Sequence, residues 1–264
     1  LVYTWGYSRY GGAKPTSLVR AQAIFSTDRA FAALTEEGTV TAWGDSNYGG
    51  TAPSGLTNVR TIFSNAYAFA TLNKDGTVVA WGNPEDGGSM SDGSLYTGVP
   101  ANLANVKTIY STEYAFAALK KDGTVQAWGN RQSGGAGVPA NLTNVIAIYA
   151  AGGAFAASRK DGTVRAWGDG ASGGAGVPPD LAHVSAIYST FFAFCAHLSD
   201  GRVRVWGSPG DGGTQPSNLD VGSSISSSYR AFAALTEHGT VVAWGNPQYG
   251  GGTADVTIDG VLFT

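Results

Sequence analysis

The sequence contains few of the groups on which metal sites and nucleophilic enzymes depend. It has a single cysteine, Cys195, so an internal disulfide is excluded, and its alanine-rich surroundings predict a small buried thiol. The histidines His183, His197 and His238 fall at unrelated positions of the repeat described below, and no two of them have the spacing of a metal site. We therefore expect no catalytic residues, no metal and no cofactor.

Charged residues are also scarce, at 13% of the chain, and they form no cluster of one sign. The 16 lysines and arginines are scattered and the net charge is −3, whereas proteins that contact phosphates need a basic surface. No apolar run approaches the roughly 18 residues of a membrane-spanning helix, and no secretory signal is visible. We expect neither nucleic acid as a partner nor insertion into a membrane. The chain opens at Leu1 without methionine, which leaves open that it is part of a longer chain or assembly.

What the sequence does have is a repeat that spans its whole length. Every tryptophan occurs in a Trp-Gly pair, and each pair is followed six residues later by Gly-Gly. The tryptophans are Trp5, Trp43, Trp81, Trp128, Trp167, Trp206 and Trp244. Their spacing is 38 or 39 residues, apart from one longer unit, and a fixed period of this length is typical of repeat architectures. We expect one domain over residues 1–264, with units that end near these tryptophans.

Each unit predicts three short strands. One unit contains the runs Val106–Ser111, Ala115–Leu119 and Thr124–Gly129, which are rich in apolar, β-branched and aromatic residues. Asp122-Gly123 separates the last two runs and predicts a hairpin turn. A Pro-x-x-Leu-x-x-Val segment such as residues 139–145 leads to the next unit, where a short edge strand is expected. Since no segment has ten residues of helical periodicity, the sequence predicts an all-β fold, a seven-bladed propeller of short antiparallel blades.

We predict structural roles for the recurring aromatics and glycines, because residues that are repeated in every unit are typical of packing contacts between units. The tryptophan occurs seven times, but the Ala-Phe strand that precedes it occurs only six times. Leu1–Gly6 would therefore supply the last strand of a unit whose earlier strands are absent at this end. We expect residues 253–264 to complete that blade and close the propeller with the N- and C-terminal strands, which removes open sheet edges.

The run Asp122-Gly123-Thr124-Val125-Gln126-Ala127-Trp128-Gly129, followed by Gly134-Gly135, resembles the regulator of chromosome condensation repeat, whose members form seven-bladed propellers. The short units and their Val-Pro segments, as at 138–139 and 177–178, are more similar in style to beta-lactamase inhibitory protein II, a secreted inhibitor. The resemblance implies a non-enzymatic role, either as an inhibitor of a secreted enzyme or as an exchange factor for a small GTPase. It also implies an extracellular or cell-surface location, with the cytoplasm as the alternative. The chain has Gly-Gly where both relatives favour Gly-Gln, so no binding residues carry over.

The candidate site lies in the loops after Trp-Gly and before Ala-Phe, which meet at one end of each predicted blade and vary between units. Tyrosine, phenylalanine and arginine are frequent in these loops, and such residues are enriched in binding hot spots. The predicted partner-binding residues are Arg9, Tyr10, Arg29, Tyr48, Tyr67, Tyr114, Arg131, Phe191, Phe192, Tyr229, Arg230 and Tyr249. We expect a monomeric domain that binds a protein through these residues. One alternative is that the partner is a glycan whose sugar rings stack on the tyrosines. The other is that the aromatic rings bind no partner and only cover the core.

Overall fold

The computed structural model describes residues 2–16, 18, 20–88, 96–216, 219, 221–252 and 256–257. These residues form antiparallel strands, as the sequence predicts, and short helical turns, which it did not predict. The strands are β1 (Ala23–Ser26), β2 (Ala30–Leu34), β3 (Val40–Gly44), β4 (Val59–Ser64), β5 (Ala68–Asn73), β6 (Val78–Gly82), β7 (Tyr96–Thr97), β8 (Val106–Ser111), β9 (Ala115–Lys120), β10 (Val125–Asn130), β11 (Val145–Ala150), β12 (Ala154–Arg159), β13 (Val164–Gly168), β14 (Val184–Ser189), β15 (Ala193–Leu198), β16 (Val203–Gly207), β17 (Val221–Ser227), β18 (Ala231–Thr236), β19 (Thr240–Gly245) and β20 (Val256–Thr257). The helical turns are Ser8–Tyr10, Ser46–Tyr48, Pro84–Asp86, Arg131–Gly135, Gly170–Ser172, Pro209–Asp211 and Pro247–Tyr249.

Within the described residues the strands form six antiparallel sheets, each built on three consecutive strands. Sheets 1, 2 and 3 are β1–β3, β4–β6 and β8–β10, and sheets 4, 5 and 6 are β11–β13, β14–β16 and β17–β19. β7 adds a fourth strand to sheet 3 beside β10, and β20 adds one to sheet 6 beside β19. The chain divides into two compact units, residues 1–143 with sheets 1–3 and residues 144–264 with sheets 4–6.

The predicted pairing of the two chain ends concerns residues that the structure describes only in part. Val256–Thr257 pair with Val241 and Thr240 of β19, and residues 258–264 lie outside the described residues. Residues 2–5 form no strand and belong to no described sheet. The single domain over 1–264 and its closure by residues 253–264 stay predictions.

The hairpin between the second and third strands forms as the Asp-Gly pair predicts. Gly123 has a φ of 78°, a left-handed conformation that glycine adopts without a Cβ clash. The Asp122 carboxylate accepts hydrogen bonds from the backbone N–H and the hydroxyl of Thr124, at 2.9 and 2.6 Å. The turn is therefore fixed by its own local residues.

The Pro-x-x-Leu-x-x-Val segment forms a turn, so the prediction of a separate edge strand there is wrong. The Leu142 N–H donates to the Pro139 carbonyl at 3.2 Å, and Leu142 is buried. Asn141 and Asn144 have φ values of 60° and 57°, and left-handed residues interrupt an extended strand. Val145 then begins the first strand of the next sheet.

A phenylalanine and a tryptophan form the centre of every described sheet. Phe116 of β9 lies opposite Trp128 of β10 in the strand register, and their rings stack with centroids 5.3 Å apart. The same pair stacks in the other five sheets, at 5.1 to 5.5 Å. Both Phe116 and Trp128 are completely buried. The structural role predicted for these aromatics is confirmed in the six sheets.

Trp5 is the exception among the tryptophans, because 85% of its surface is exposed. It precedes the first described sheet, so no described strand places a phenylalanine opposite it. Together with the exposed Tyr3, it lines an open cavity of about 280 Å³ that also touches Ile24, Phe31 and Trp43.

The core of each unit lies between neighbouring sheets. In the first unit, Ala68 and Ala70 of β5 pack in one cluster with Ile109 and Phe116 of sheet 3. In the second unit, Ala154 and Ala156 of β12 pack with Ile187 and Phe194 of sheet 5. Because alanine is small, the central strand of one sheet can approach the large residues of the next, which is the alternation that the Ala-Phe-Ala pattern predicts.

The Gly-Gly pairs join one sheet to the next. Gly49 has a φ of 89°, and its carbonyl accepts a hydrogen bond from Trp81 Nε1 of sheet 2 at 2.9 Å. A Cβ on Gly49 would lie 2.6 Å from the Phe69 ring, and a Cβ on Gly50 would collide with the Gly44 carbonyl. Both glycines are therefore required by close packing.

Cys195 is the small buried thiol that the sequence predicts. It lies in β15 with no exposed surface, and burial raises the pKa of its thiol to about 12. A thiol with such a pKa is rarely ionised at neutral pH and is a poor nucleophile.

Candidate functional site

The loops after Trp-Gly and before Ala-Phe meet at one end of each sheet, which we call the loop end. The first residue after Trp-Gly donates its N–H to the carbonyl of the residue before Ala-Phe, as from Asp45 to Arg29 and from Asn246 to Arg230, both at 2.9 Å. The prediction that these variable loops lie side by side is therefore confirmed within the described sheets.

A second set of hydrogen bonds fixes the backbone of the loop end. A polar side chain four residues before the phenylalanine donates to a carbonyl in the helical turn of the same sheet. The bonds run from Thr27 to Tyr48, Asn65 to Asp86, Thr112 to Ser133, Thr190 to Asp211 and Ser228 to Tyr249, at 2.8 to 3.1 Å. Because these bonds use main-chain carbonyls, the side chains of the turn are left to vary.

In the first unit, five predicted site residues form a continuous row of contacts, which we call the tyrosine row. It consists of Tyr10, Arg29, Tyr48, Tyr67 and Tyr114. The Arg29 guanidinium carbon lies 5.1 Å from the Tyr10 ring centroid and 4.8 Å from that of Tyr48. The rings of Tyr48 and Tyr67 are 5.2 Å apart, and those of Tyr67 and Tyr114 are stacked at 5.5 Å. The row therefore crosses the loop ends of sheets 1, 2 and 3.

The tyrosine row both covers the core and faces solvent. Tyr10 is 39% exposed and Arg29 is exposed, whereas Tyr48, Tyr67 and Tyr114 are half-buried. Tyr48 also packs against the cluster between sheets 1 and 2. Tyr48 therefore helps to cover the core, which is one of the two interpretations of these rings. Tyr10 and Arg29 are exposed, so a partner can reach them.

The two ends of the row differ in charge. Arg9 lies at the Tyr10 end, where it pairs with the buried Asp45 at 3.3 Å and lies 6.0 Å from the Tyr10 ring. Glu113 lies at the other end, where it contacts Tyr114. Burial is the main cause that raises the pKa of the Tyr114 phenol, and the hydrogen bond to Glu113 and the charge of Glu113 raise this pKa further. The row therefore has Arg9 and Arg29 at one end and is anionic at the other.

Asp86 is a buried carboxyl at the anionic end. It is 6% exposed, and burial, with the nearby charges of Glu85 and Glu113, raises its pKa from 3.8 to about 6. The sequence prediction missed Asp86 and Glu113. Alignment of the units could have found Asp86, since it occupies the position that is Tyr10, Tyr48 and Tyr249 in other units.

We expect the variant Asp86→Asn to change how stability depends on pH. The folded protein holds the Asp86 proton more tightly than the unfolded chain, so this group stabilises the fold below pH 3.8, and the contribution is lost as the pH rises to about 6. Urea unfolding across this range should show the free energy of unfolding of the wild type falling relative to that of the variant. If the free energies of unfolding of the two proteins changed in parallel with pH, the raised pKa of Asp86 would be contradicted, because the other carboxyls contribute equally to both proteins.

In the second unit, Arg230 lies among four predicted aromatic residues, which together form the Arg230 cluster. Its guanidinium carbon is 4.8 Å from the Phe192 ring centroid, 5.7 Å from that of Tyr229 and 5.5 Å from that of Tyr249. Phe191 completes the cluster, with its ring centroid 4.8 Å from Phe192 and 4.7 Å from Tyr229. Tyr229 and Tyr249 are 48% and 44% exposed.

Two neighbouring residues position this cluster. Asp211 Oδ1 lies 3.7 Å from Arg230 Nη1, and the Ser208 hydroxyl donates to Asp211 Oδ2 at 2.7 Å. A Cβ on Gly152 would collide with the Phe191 ring, so the glycine leaves room for that ring to lie over the loop of sheet 4. The remaining predicted residue, Arg131, is exposed in the turn Arg131–Gly135.

Neither a metal cluster nor a membrane-spanning helix occurs in the part of the chain that the structure describes. There, no three His, Cys, Asp or Glu side chains form a group that could hold a metal ion. No helix in the same residues is long and apolar enough to cross a bilayer.

Comparison with known proteins gives one short match to a family. The profile described as regulator of chromosome condensation (RCC1) repeat matches residues 223–250, one unit that includes sheet 6 and its loop end. A search among curated proteins finds no match.

Solved structures match over most of the chain. The ectodomain of the Physcomitrella patens receptor kinase CR4 has a TM-score of 0.54 at 18% identity, and the match covers 84% of this chain and 62% of that one. Prp20p from Saccharomyces cerevisiae has a TM-score of 0.52 at 16% identity, with coverage of 89% and 75%. Human WBSCR16 has a TM-score of 0.51 at 16% identity, with coverage of 92% and 84%.

At these identities the likeness shows the fold alone. The chain spans less than two thirds of the receptor ectodomain, so what that protein does is not transferred. The repeated antiparallel sheets, the match to one repeat and the likeness to Prp20p agree with one another. The chain therefore has the fold of a repeat propeller, and one of its units matches the RCC1 repeat.

Proposed function

We propose that this chain is a non-enzymatic recognition module that binds a protein partner through the loop end of its sheets. Each unit has its own candidate surface there, the tyrosine row in the first and the Arg230 cluster in the second. Repeat propellers of this kind are typically protein-interaction modules, and the proposal assigns that role to the loop end. The observation that carries it is the contact of aromatic and arginine side chains within each unit, on a backbone that is fixed by hydrogen bonds. Rigid aromatics bury much area on binding at little cost in conformational entropy.

The ring geometry favours a protein over a glycan. A sugar ring needs a free aromatic face, whereas Tyr67 and Tyr114 stack on each other and are half-buried. The exposed residues Tyr10, Tyr229 and Tyr249 each have an arginine guanidinium over the ring, and this combination suits the mixed apolar and polar groups of a protein surface.

Inhibition of a secreted enzyme and exchange on a small GTPase are narrower forms of the same protein binding. Prp20p has been characterised for its binding to Gsp1p and histones, so a propeller of similar fold does bind proteins. We propose that this chain acts as a monomer at the cell surface or outside the cell, the setting of the receptor ectodomain with a similar fold. Identification of the captured partner distinguishes the two narrower roles.

We expect the double variant Tyr10→Ala, Tyr249→Ala to capture its partner at least about tenfold less well than the wild type. Both side chains are exposed, so the melting temperature should stay unchanged, whereas Tyr48→Ala should lower it because Tyr48 packs on the core. The measurement is a pull-down from native extract with immobilised wild type and variant, followed by mass spectrometry and thermal unfolding.

Ile146→Ala is the matched control, since Ile146 is a 56% exposed apolar residue in β11, away from the loop end. Its set of captured proteins should equal that of the wild type. Equal capture by the double variant would reject the loop end as the binding surface. Binding on a glycan array that is lost with the same double variant would replace the protein partner by a glycan.

A further inference from the structure

The arginines of the loop end differ in whether they already lie next to a carboxylate of this chain. Arg9 pairs with Asp45 at 3.3 Å, and Arg230 lies 3.7 Å from Asp211. Arg29 occupies the same repeat position as Arg230, two residues before the phenylalanine. Among the described residues, Arg29 has neither an ion pair nor a side-chain hydrogen bond. Its guanidinium is thus a cation in contact with two rings, and no carboxylate in the described part of the chain forms an ion pair with it.

We propose that Arg29 binds a carboxylate of the protein partner, an aspartate or glutamate side chain or a chain terminus, between the rings of Tyr10 and Tyr48. The inference rests on the proposed function, since it names the chemistry that the Tyr10 end of the tyrosine row recognises. A guanidinium presents its N–H donors in a planar fork that matches a carboxylate with two parallel hydrogen bonds.

The two tyrosines prepare Arg29 for this contact. Its guanidinium carbon lies within cation–π range of both rings, at 5.1 and 4.8 Å. A side chain held between two rings loses less freedom when it binds than one that moves freely in solvent. The backbone beneath is fixed as well, because the Arg29 carbonyl accepts from the Asp45 N–H at 2.9 Å.

The local charge favours a carboxylate over a phosphate. Arg9 pairs with Asp45, and Arg29 follows Asp28 in the sequence, so these four residues together carry no net charge at neutral pH. A partner carboxylate adds one negative charge to this balance, whereas a phosphate monoester adds nearly two and would meet the two aspartates. Arg29 is therefore suited to a single anionic group with planar geometry.

The test is a selection of phage-displayed random peptides on the purified chain, followed by fluorescence polarisation with the enriched peptides. We expect the enriched peptides to contain aspartate or glutamate.

Arg29→Lys should lower the affinity for these peptides about tenfold and Arg29→Gln about a hundredfold, because the lysine keeps the charge but loses the planar fork. Exchange of the acidic peptide residue for its amide should weaken binding to the wild type and leave binding to Arg29→Gln unchanged. Arg60→Lys is the matched control and should bind the same peptides with wild-type affinity, because Arg60 is exposed in β4 away from the loop end.

The outcomes separate this inference from the proposed function. Peptides that bind Arg29→Gln as tightly as the wild type, but lose affinity in the Tyr10→Ala, Tyr249→Ala variant, would overturn the role of Arg29 and support the binding surface. Tighter binding of phosphoserine versions of the peptides would overturn the choice of a carboxylate. Peptides insensitive to all these variants, or the absence of any enriched peptide, would count against both proposals.

Discussion

Replacement of Phe116 by alanine is expected to lower the free energy of unfolding by about 3–5 kcal/mol, the usual cost of removing a completely buried aromatic ring. Phe116 has no exposed surface, stacks on Trp128 at 5.3 Å and packs in the cluster between sheets 2 and 3. Because the ring is surrounded on both sides, its removal leaves a cavity that the sheets cannot close. Urea unfolding followed by circular dichroism measures the loss.

The tryptophans provide a matched comparison within the same chain. Trp128→Ala should cost as much as Phe116→Ala, whereas Trp5→Ala should change the free energy of unfolding by less than about 0.5 kcal/mol, since Trp5 is 85% exposed. An equal loss for the two tryptophans would mean that Trp5 is covered by chain outside the described residues. A small loss for Phe116 would contradict its assignment to the core.

Replacement of Gly49 by alanine is expected to cost about 2–4 kcal/mol, which combines the strain of a left-handed residue with overpacking of the core. Gly49 has a φ of 89°, and the new Cβ would lie 2.6 Å from the Phe69 ring and 3.4 Å from Trp81 Nε1. The ring belongs to a buried stack, so it cannot move aside without opening the contact between sheets 1 and 2. The midpoint of urea unfolding reports the change.

Gly250→Ala is the control for Gly49→Ala. Gly250 occupies the same repeat position with a φ of 96°, but among the described residues no atom lies within 4 Å of the position that a Cβ would take there. Its replacement should therefore cost only the backbone strain, about 1–2 kcal/mol. If both variants lose the same amount, the contact with Phe69 contributes nothing and the glycine is needed for its backbone conformation alone.

Local residue patterns predicted the parts of this fold that depend on local physics. The Asp122-Gly123 turn is fixed by the conformation of glycine and by the aspartate's own hydrogen bonds to Thr124, so neighbours in sequence suffice to find it. The stacked Phe116 and Trp128 follow from the hairpin, since the turn sets the register that brings them opposite each other. The predicted site residues could likewise be placed at one end of each sheet.

Contacts between sheets were harder to predict. The stacking of Tyr67 on Tyr114 joins residues of two repeats and depends on the distance between sheets, which the pattern does not encode. The raised pKa of Asp86 arises from burial and from Glu113 of the neighbouring sheet. A short edge strand was expected in the segment before Val145, whereas the left-handed asparagines make it a turn.

The hydrogen bonds that hold the loop end involve few of the side chains that it displays. Thr27, Asn65 and Thr112 anchor main-chain carbonyls, so replacement of Tyr48 or Tyr10 leaves those anchors intact. New specificities can therefore be sought by randomising the displayed positions of several sheets at once while the anchors are kept. Such a library would present many shapes and charges on one unchanged backbone. The chain is therefore a suitable starting point for engineered binders.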